Sequence, residues 1–292
     1  MNTLSALSRS SLLGVFCVTI TAMDLKDIST EPIGALVSSE FHNVPWYHFS
    51  IDDVFDSLIE ITIKNMPLFE HPFFALMKEI HDTYGAQIDF ELFYEKEIDG
   101  VLYTLEDVRD LREEIKKKGD WLRFGPHAQN YMVAPFEQTP EEQEIVFDKI
   151  YKEIDRFAGR EFYAKWVRLH YYSESYELAS YFKSKGVTAL FSTDREAGSH
   201  RMCEVTAKSL LDDGFATYKE KNFIRTQYRV EVFTNRRQTD ENLRSMFLDS
   251  LERHGYIVFY SHEYEFARSE VRNMLRKSFQ ILADIGVVSI KH

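Results

Sequence analysis

Residues 46–54 read WYHFSIDDV, an apolar run that ends in two adjacent aspartates. Its first six residues are rich in aromatic and β-branched side chains, a composition typical of a buried strand. Six further apolar runs follow, separated by segments in which apolar residues recur every three or four positions. This alternation is typical of βα units around a parallel sheet. The sequence therefore predicts an α/β fold, a single seven-stranded (β/α) barrel.

The strands and helices of this barrel can be placed along the chain. The seven predicted strands cover residues 46–51, 86–94, 121–125, 166–170, 187–191, 226–233 and 256–260. Helices are predicted after Pro67 up to residue 84, and over 104–119, 139–157, 175–185, 240–254 and 268–279. The stretch 195–224 does not fit the alternation, and we expect a long connection that is functional or partly disordered.

Composition and charge restrict the class of protein. Acidic residues outnumber basic ones by 47 to 35, which gives a formal net charge of −12. Such a charge repels phosphate backbones and anionic headgroups, so we expect no general binding of nucleic acid or of membrane surfaces. No run approaches the roughly 18 apolar residues of a spanning helix. The two cysteines, Cys17 and Cys203, provide neither a disulfide framework nor a zinc motif.

The beginning of the chain differs in pattern from the rest. Arg9 precedes a short apolar run over 12–20, a weak copy of a secretory signal that lacks the usual cleavage pattern. We expect residues 1–31 to be a lead-in segment, with a signal segment or a stray first strand as alternatives. Residues 32–292 are expected to form one domain. The expected location is the cytoplasm, with secretion as the alternative.

Every predicted strand brings an ionisable residue toward its carboxyl end: some follow the strand, Arg168 and His170 lie within the fourth, and Glu231 lies late in the sixth. In (β/α) barrels the carboxyl ends of the strands form one rim, which carries the catalytic groups. The residues expected at this rim, in chain order, are Asp52, Asp53, Glu95, His127, Arg168, His170, Asp194, Glu231, His262 and Glu263. This pattern predicts an active site at the carboxyl end of the barrel.

Adjacent carboxylates and several imidazoles suit a divalent metal that lowers the pKa of a bound water. In this interpretation Asp53 binds the metal and Asp52 accepts a proton from the water. His262, on the opposite side of the rim, protonates the leaving group. Arg168 keeps Asp52 ionised and oriented. Two structural alternatives stay open: Asp53 caps a helix over 55–61, and Arg168 pairs with Glu231 across neighbouring strands.

Four segments resemble the motifs of the polysaccharide deacetylase family (carbohydrate esterase family four, or NodB-homology domain). Phe49-Ser50-Ile51-Asp52-Asp53-Val54 resembles its first motif, T/S-F-D-D-G, with valine in place of glycine. Gly125-Pro126-His127-Ala128 resembles the metal-binding H-x-x-x-H motif, and Arg168-Leu169-His170-Tyr171 the R-x-P-Y segment. Ser261-His262 resembles the final motif with its catalytic histidine. The resemblance covers roughly residues 44–265.

This resemblance implies a distorted (β/α) barrel and metal-dependent removal of acetyl groups from a sugar. It makes Asp52 the base, Asp53 and His127 metal ligands, and His262 the acid. Tyr131 stands four residues after His127, where the family has its second ligand histidine. His170 from the next strand end, or Asn130, is expected to replace that ligand.

Two functions follow from these expectations. The first is a metal-dependent hydrolase, with zinc as the expected ion, that removes an acetyl group from an amide or ester on a carbohydrate or other acetylated small molecule. Glu95, Asp194, Glu231 and Glu263 are the expected substrate contacts. The alternative is a catalytically degenerate, carbohydrate-binding barrel, which a His170 side chain turned away from Asp53 and His127 would favour.

A third possibility is a metal-free glycosidase or lyase with Glu95 and Glu231 as its acid and base.

Overall fold

A computed structural model describes residues 28–29, 44–173, 177–193, 204–218 and 221–291. The strands are β1 (Ile28–Ser29), β2 (Trp46–Val54), β3 (Ile88–Phe93), β4 (Glu95–Ile98), β5 (Val101–Thr104), β6 (Leu122–Ala128), β7 (Trp166–Val167), β8 (Ala189–Ser192), β9 (Phe215–Tyr218), β10 (Lys221–Arg225), β11 (Tyr228–Arg229), β12 (Tyr256–His262) and β13 (Val288–Ser289). The α-helices are α1 (Asp56–Ile63), α2 (Pro72–Tyr84), α3 (Arg112–Lys118), α4 (Pro140–Phe157), α5 (Ala179–Ser184), α6 (Glu204–Asp213), α7 (Val230–Asn235), α8 (Asp240–His254) and α9 (Ser269–Asp284).

Two sheets form the centre of the fold, one parallel and one mixed, and helices accompany them, which confirms the predicted α/β class. One sheet has the order β11-β12-β2-β3-β6, with β13 also paired to β2, and all of its pairs are parallel. The other has the order β1-β9-β10-β8-β7, in which β8 pairs in parallel with both β7 and β10. Each of the seven predicted strands contains strand residues, but they are divided between two sheets, so a closed seven-stranded ring is not what is observed.

The sheets approach each other at two places. The chain passes directly from β10 in one sheet to β11 in the other. On the opposite side, edge strand β6 makes an isolated bridge between Phe124 and Tyr163, which lies three residues before edge strand β7. The result is a distorted barrel with one weakly paired seam.

Strand β2 is buried along its whole length. Its alternate residues Tyr47, Phe49 and Ile51 belong to the large apolar core that also includes residues of the helices. Trp46, on the other face, clusters with residues from both sheets, including Trp166 and Phe191, so this cluster lies between the sheets. It fills the end of the barrel at which β2 begins, while the polar residues of β2 lie toward the carboxyl end.

Local sequence signals fix the helix ends. Thr139 and Glu142 form a reciprocal capping box at the start of α4, and Pro140 occupies its first turn. Helix α8 ends at Gly255, whose φ of 76° is readily adopted only by glycine. The predicted helix over 104–119 is instead a 3-10 turn, Leu105–Asp107, followed by α3.

The sixth strand differs from its prediction. Within the predicted strand 226–233, only Tyr228–Arg229 form a strand, β11, and β10 ends just before it at Arg225. Residues from Val230 onward form helix α7, so this prediction is largely wrong. The supposed long connection over 195–224 contains α6 and the antiparallel pair β9–β10.

Within residues 1–31, only Ile28–Ser29 are described, and they pair with β9. The single domain over 32–292 stays a prediction. No helix in the described ranges combines the length and apolarity that crossing a membrane requires.

Candidate metal centre

Four of the predicted site residues lie where parallel strands end. Asp52 and Asp53 lie near the end of β2, His127 near the end of β6, and His262 at the end of β12. Asp52 and His262 are register partners in the parallel pair β2–β12. The expectation that these residues share one rim agrees with their positions.

Asp53, His127 and His170 converge on one point. His127 Nε2 lies 3.2 Å from Asp53 Oδ1, and His170 Nδ1 lies 3.6 Å from the same oxygen. The two imidazole nitrogens are 3.2 Å apart. A four-coordinate zinc ion bound at about 2.0–2.1 Å spaces its ligand atoms about 3.3–3.4 Å apart. These three side chains are therefore spaced as metal ligands are.

Backbone carbonyls fix the tautomers of both histidines. His127 Nδ1 lies 2.7 Å from the carbonyl oxygen of Arg168, and His170 Nε2 lies 3.1 Å from that of Tyr131. A carbonyl oxygen only accepts, so these nitrogens donate. In the neutral rings, His127 Nε2 and His170 Nδ1 thus direct lone pairs toward Asp53. This is the arrangement by which outer partners orient metal-binding histidines.

The electrostatics of the three residues also suit a cation. Burial, with the charge of His127, lowers the pKa of His170 to about 4, so this imidazole is neutral at pH 7. Burial opposes ionisation of Asp53, but contact with His127 and the neighbouring imidazole charges outweigh it and lower the pKa of this carboxyl. Asp53 Oδ1 is buried and has no hydrogen-bond partner within the described part of the chain. When both imidazoles are neutral, their lone pairs and the Asp53 carboxylate repel one another, and a cation bound between them would remove that repulsion.

Tyr131, at the position where the family has its second ligand histidine, has a different role in this structure. The Tyr131 side chain does not replace a histidine ligand; its backbone carbonyl holds His170, which provides the third ligand atom. Asn130 Oδ1 accepts from the backbone N–H groups of Met132 and Val133, and its amide donates to Glu95. Asn130 is therefore part of the loop structure and not of the ligand set.

Asp52 lies beside this cluster and pairs with a buried guanidinium. Arg168 Nη1 lies 3.0 Å from Asp52 Oδ1 and also donates to Ser50 Oγ. The guanidinium lies over the ring of Tyr260, 4.1 Å from its centroid. Arg168 therefore pairs with Asp52 and not with Glu231.

His262 ends the strand next to β2, beside Asp52 and not on the opposite side of the rim as expected, and a carboxylate holds it. His262 Nδ1 lies 2.9 Å from Glu231 Oε1, and Ser261 Oγ donates to Glu231 Oε2. Burial disfavours the charged imidazole, but the hydrogen bond and charge of Glu231 outweigh it and raise the pKa of His262 to about 9. His262 is therefore protonated at neutral pH. Glu231 lies in the first turn of α7, not late in a strand as predicted.

Glu263 has a different place from the one predicted. Its carboxylate accepts hydrogen bonds of 2.8–2.9 Å from the backbone N–H groups of Phe55, Asp56 and Ser57. It therefore caps α1, the role that the capping alternative gave to Asp53, and both of its oxygens are occupied. A substrate contact by Glu263 is not supported.

Glu95 and Asp194 are the two remaining residues predicted to contact substrate. Glu95 Oε1 accepts from the side-chain amides of Gln129 and Asn130. Asp194 lies outside the described residues.

Exposed tyrosines at the rim were missed by the sequence reasoning. Tyr131 and Tyr171 are 54% and 46% exposed, and their ring centroids lie 5.6 and 4.1 Å from that of His170. Tyr264 is 54% exposed and stacks on His262 at 5.3 Å. The available signal was adjacency, because Tyr171 and Tyr264 each lie within two residues of a predicted site histidine.

Comparisons with known proteins agree with this architecture. No protein-family model and no curated protein sequence matches the chain. A CE4 esterase (carbohydrate esterase family four) from Streptococcus mutans superposes with a TM-score of 0.50 at 11% identity, over 88% of this chain and 91% of that one. A family 4 carbohydrate esterase from Streptomyces lividans gives a TM-score of 0.46 at 10% identity, over 84% and 91% of the two chains.

A CE4 family pseudoenzyme from Bacillus anthracis gives a TM-score of 0.44 at 12% identity, over 85% of this chain and 64% of that one. This chain thus spans less than two thirds of that protein's length. The superposition on the Streptococcus mutans esterase supports the resemblance at the level of the fold. The chain has the α/β barrel fold of the CE4 carbohydrate esterases.

Proposed function

We propose that this protein is a metal-dependent hydrolase that removes an acetyl group from an amide or ester on a carbohydrate. The observation that carries this proposal is the convergence of Asp53, His127 and His170 on one point, with their donor atoms 3.2–3.6 Å apart. Three protein ligands from nitrogen and oxygen, with a further position left open, are typical of catalytic zinc sites. Zinc is the proposed ion.

A divalent cation at this point supplies a Lewis acid that polarises a carbonyl and makes water easier to deprotonate. Asp52 is the proposed general base. Asp52 is the chain neighbour of the proposed ligand Asp53. Arg168 holds the Asp52 carboxylate in place by a hydrogen bond of 3.0 Å. General bases must be both positioned and within reach of the proton that they accept.

His262 is the proposed general acid. Its pKa of about 9 means that the imidazole carries its proton at neutral pH. Glu231 fixes Nδ1, so Nε2 is left to donate a proton to the departing amine or hydroxyl. Asp52 and His262 are register partners at the ends of neighbouring parallel strands, so the proposed base and acid lie side by side at the rim.

The exposed tyrosines support a carbohydrate as the substrate. An aromatic face packs against the C–H groups of a sugar ring, while the tyrosine hydroxyl offers a polar contact. Tyr131 and Tyr171 lie on the His170 side of the site, and Tyr264 lies on the His262 side. Substrate contact through these rings replaces the expected contact through Glu263.

The competing functions have less support. A binding-only barrel would be favoured by a His170 side chain turned away from the cluster, and His170 instead lies 3.2 Å from His127. For a glycosidase, Glu231 and Glu95 would have to act on substrate. Glu231 is hydrogen-bonded through both oxygens, and Glu95 binds two side-chain amides.

The test is acetate release from N-acetylated and O-acetylated oligosaccharides by the zinc-loaded protein. We expect Asp52→Asn to lower the rate by about 10²–10⁴-fold with zinc content unchanged, because loss of a general base slows the reaction without removing a ligand. The exposed carboxylate variant Asp120→Asn is the control and should retain the rate. Zinc-loaded wild-type protein that binds the sugars but releases no acetate would contradict the proposal.

A further inference from the structure

The peptide of Arg168 lies at the weak seam of the barrel. Strand β7 ends at Val167, and within the described residues it pairs only with β8. The next residue, Arg168, lies outside the sheet, but its backbone N–H and its carbonyl are both hydrogen-bonded. The Arg168 carbonyl accepts from His127 Nδ1 at 2.7 Å, and the Arg168 N–H donates to Glu91 Oε1 at 3.0 Å.

Glu91 reaches Arg168 from the middle of β3, on the far side of β6. It is completely buried, and its register partner on β6 is Gly125. A Cβ atom at position 125 would lie 2.5 Å from Glu91 Oε2. Glycine thus leaves the space through which the glutamate side chain passes over β6 to the seam.

This contact links three groups of the candidate site. Arg168 orients the ligand His127 through its carbonyl and holds Asp52 through its guanidinium. Glu91 fixes the N–H of that same residue. A shift of the Arg168 peptide would therefore turn His127 and move Asp52 together.

We propose that Glu91 is a positioning residue that replaces a missing sheet hydrogen bond at the β6–β7 seam and so sets the geometry of the ligand His127 and of Asp52. The inference rests on the proposed metal-dependent function. Burial raises the pKa of Glu91 well above its ordinary value, in keeping with a neutral hydrogen-bonding group in the barrel interior. A glutamine at this position keeps the oxygen that accepts from Arg168.

The experiment measures zinc affinity of the full-length, metal-free protein by competition with a chelating dye. Glu91→Gln should bind zinc within about twofold of wild type. Glu91→Leu removes the acceptor at similar size and should weaken binding about 10–100-fold, the usual effect of removing an outer-shell partner of a metal ligand. Phe90→Leu on the same strand, whose ring packs against Phe73, Phe74 and Phe124, controls for general destabilisation and should leave zinc affinity unchanged.

Gly125→Ala provides a second route if Glu91→Leu does not fold. The added methyl displaces the glutamate carboxyl, the flexible end of its side chain, and should weaken zinc binding in the same direction. Wild-type zinc affinity in folded Glu91→Leu or Gly125→Ala would overturn this inference alone. A wild-type protein that binds no zinc would overturn the proposed function and this inference with it.

Discussion

Asp53 has a φ of 61°, in the left-handed region that most residues avoid. Aspartate is among the few residues that tolerate this conformation. The pairing register between β2 and β3 shifts between Ile51 and Val54, which is the signature of a bulge. Successive side chains of a regular strand point to opposite faces, and the bulge changes that. As a result, Asp52 contacts Arg168 while the adjacent Asp53 contacts His127.

Among its neighbours, Glu231 does most to keep His262 charged. We expect Glu231→Gln to lower the pKa of His262 from about 9 toward its ordinary value near 6.5, because the variant removes the carboxylate charge. His262 must be protonated to act as the acid, so the rate falls as pH rises through its pKa. The alkaline limb of kcat/KM against pH should therefore move to lower pH.

Glu265→Gln is the matched control, since Glu265 lies in the same segment as His262 but pairs with Arg268. Its pH profile should coincide with that of wild type. An alkaline limb that stays in place in Glu231→Gln would exclude His262 as the acid that Glu231 tunes.

At the scale of elements, helix α1 depends on a carboxylate from the far end of the chain. Glu263 accepts three N–H groups at the start of α1, and those of the buried residues Phe55 and Ser57 would otherwise be left without partners. We expect Glu263→Ala to lower the free energy of unfolding by roughly 2–4 kcal/mol, since buried donors left unsatisfied are costly. Chemical denaturation measures this, with the exposed Glu252→Ala as a control expected within about 0.5 kcal/mol of wild type. A loss in Glu263→Ala no larger than in the control would contradict the capping role.

Sequence patterns predict the elements unevenly. The capping box at Thr139 and the glycine at 255 are local signals, and α4 and α8 begin and end close to their predicted positions. Val230, Val232 and Phe233 are β-branched or aromatic and so suggest a strand, but they lie in α7, which packs against α9. Tertiary packing outweighs a weak local preference in such a short segment.

The site was predictable to the extent that it depends on strand ends. The rule that catalytic groups gather at the carboxyl ends of parallel strands correctly indicates that Asp53 and His127 lie together. The rule does not reveal that the Tyr131 carbonyl turns His170 toward them, because that contact joins two separate loops. The cap formed by Glu263 was likewise hidden, since its partners lie 206–208 residues away in the chain.

At the scale of the whole molecule, polar groups extend from the rim into the interior between the sheets. His48 and Asp89 form a buried pair at 3.0 Å, and Arg168 and Glu91 lie farther toward the site. Buried polar groups stabilise a single arrangement only when they are satisfied. Asp53 Oδ1 and Glu91 Oε2 are buried oxygens left without a hydrogen bond among the described residues, and Asp53 Oδ1 lies where the two imidazoles converge.

The central claim is that Asp53, His127 and His170 together bind one divalent ion. Calorimetric titration of the metal-free protein with zinc tests it most directly. The account predicts one ion per chain, and binding weakened at least about 100-fold in His170→Ala, since loss of a ligand exceeds the 10–100-fold effect of losing an outer-shell partner. His81→Ala, which removes a histidine stacked on Trp121, should bind as wild type does. Equal zinc affinity in wild type and His170→Ala, or no binding by wild type, would contradict the account.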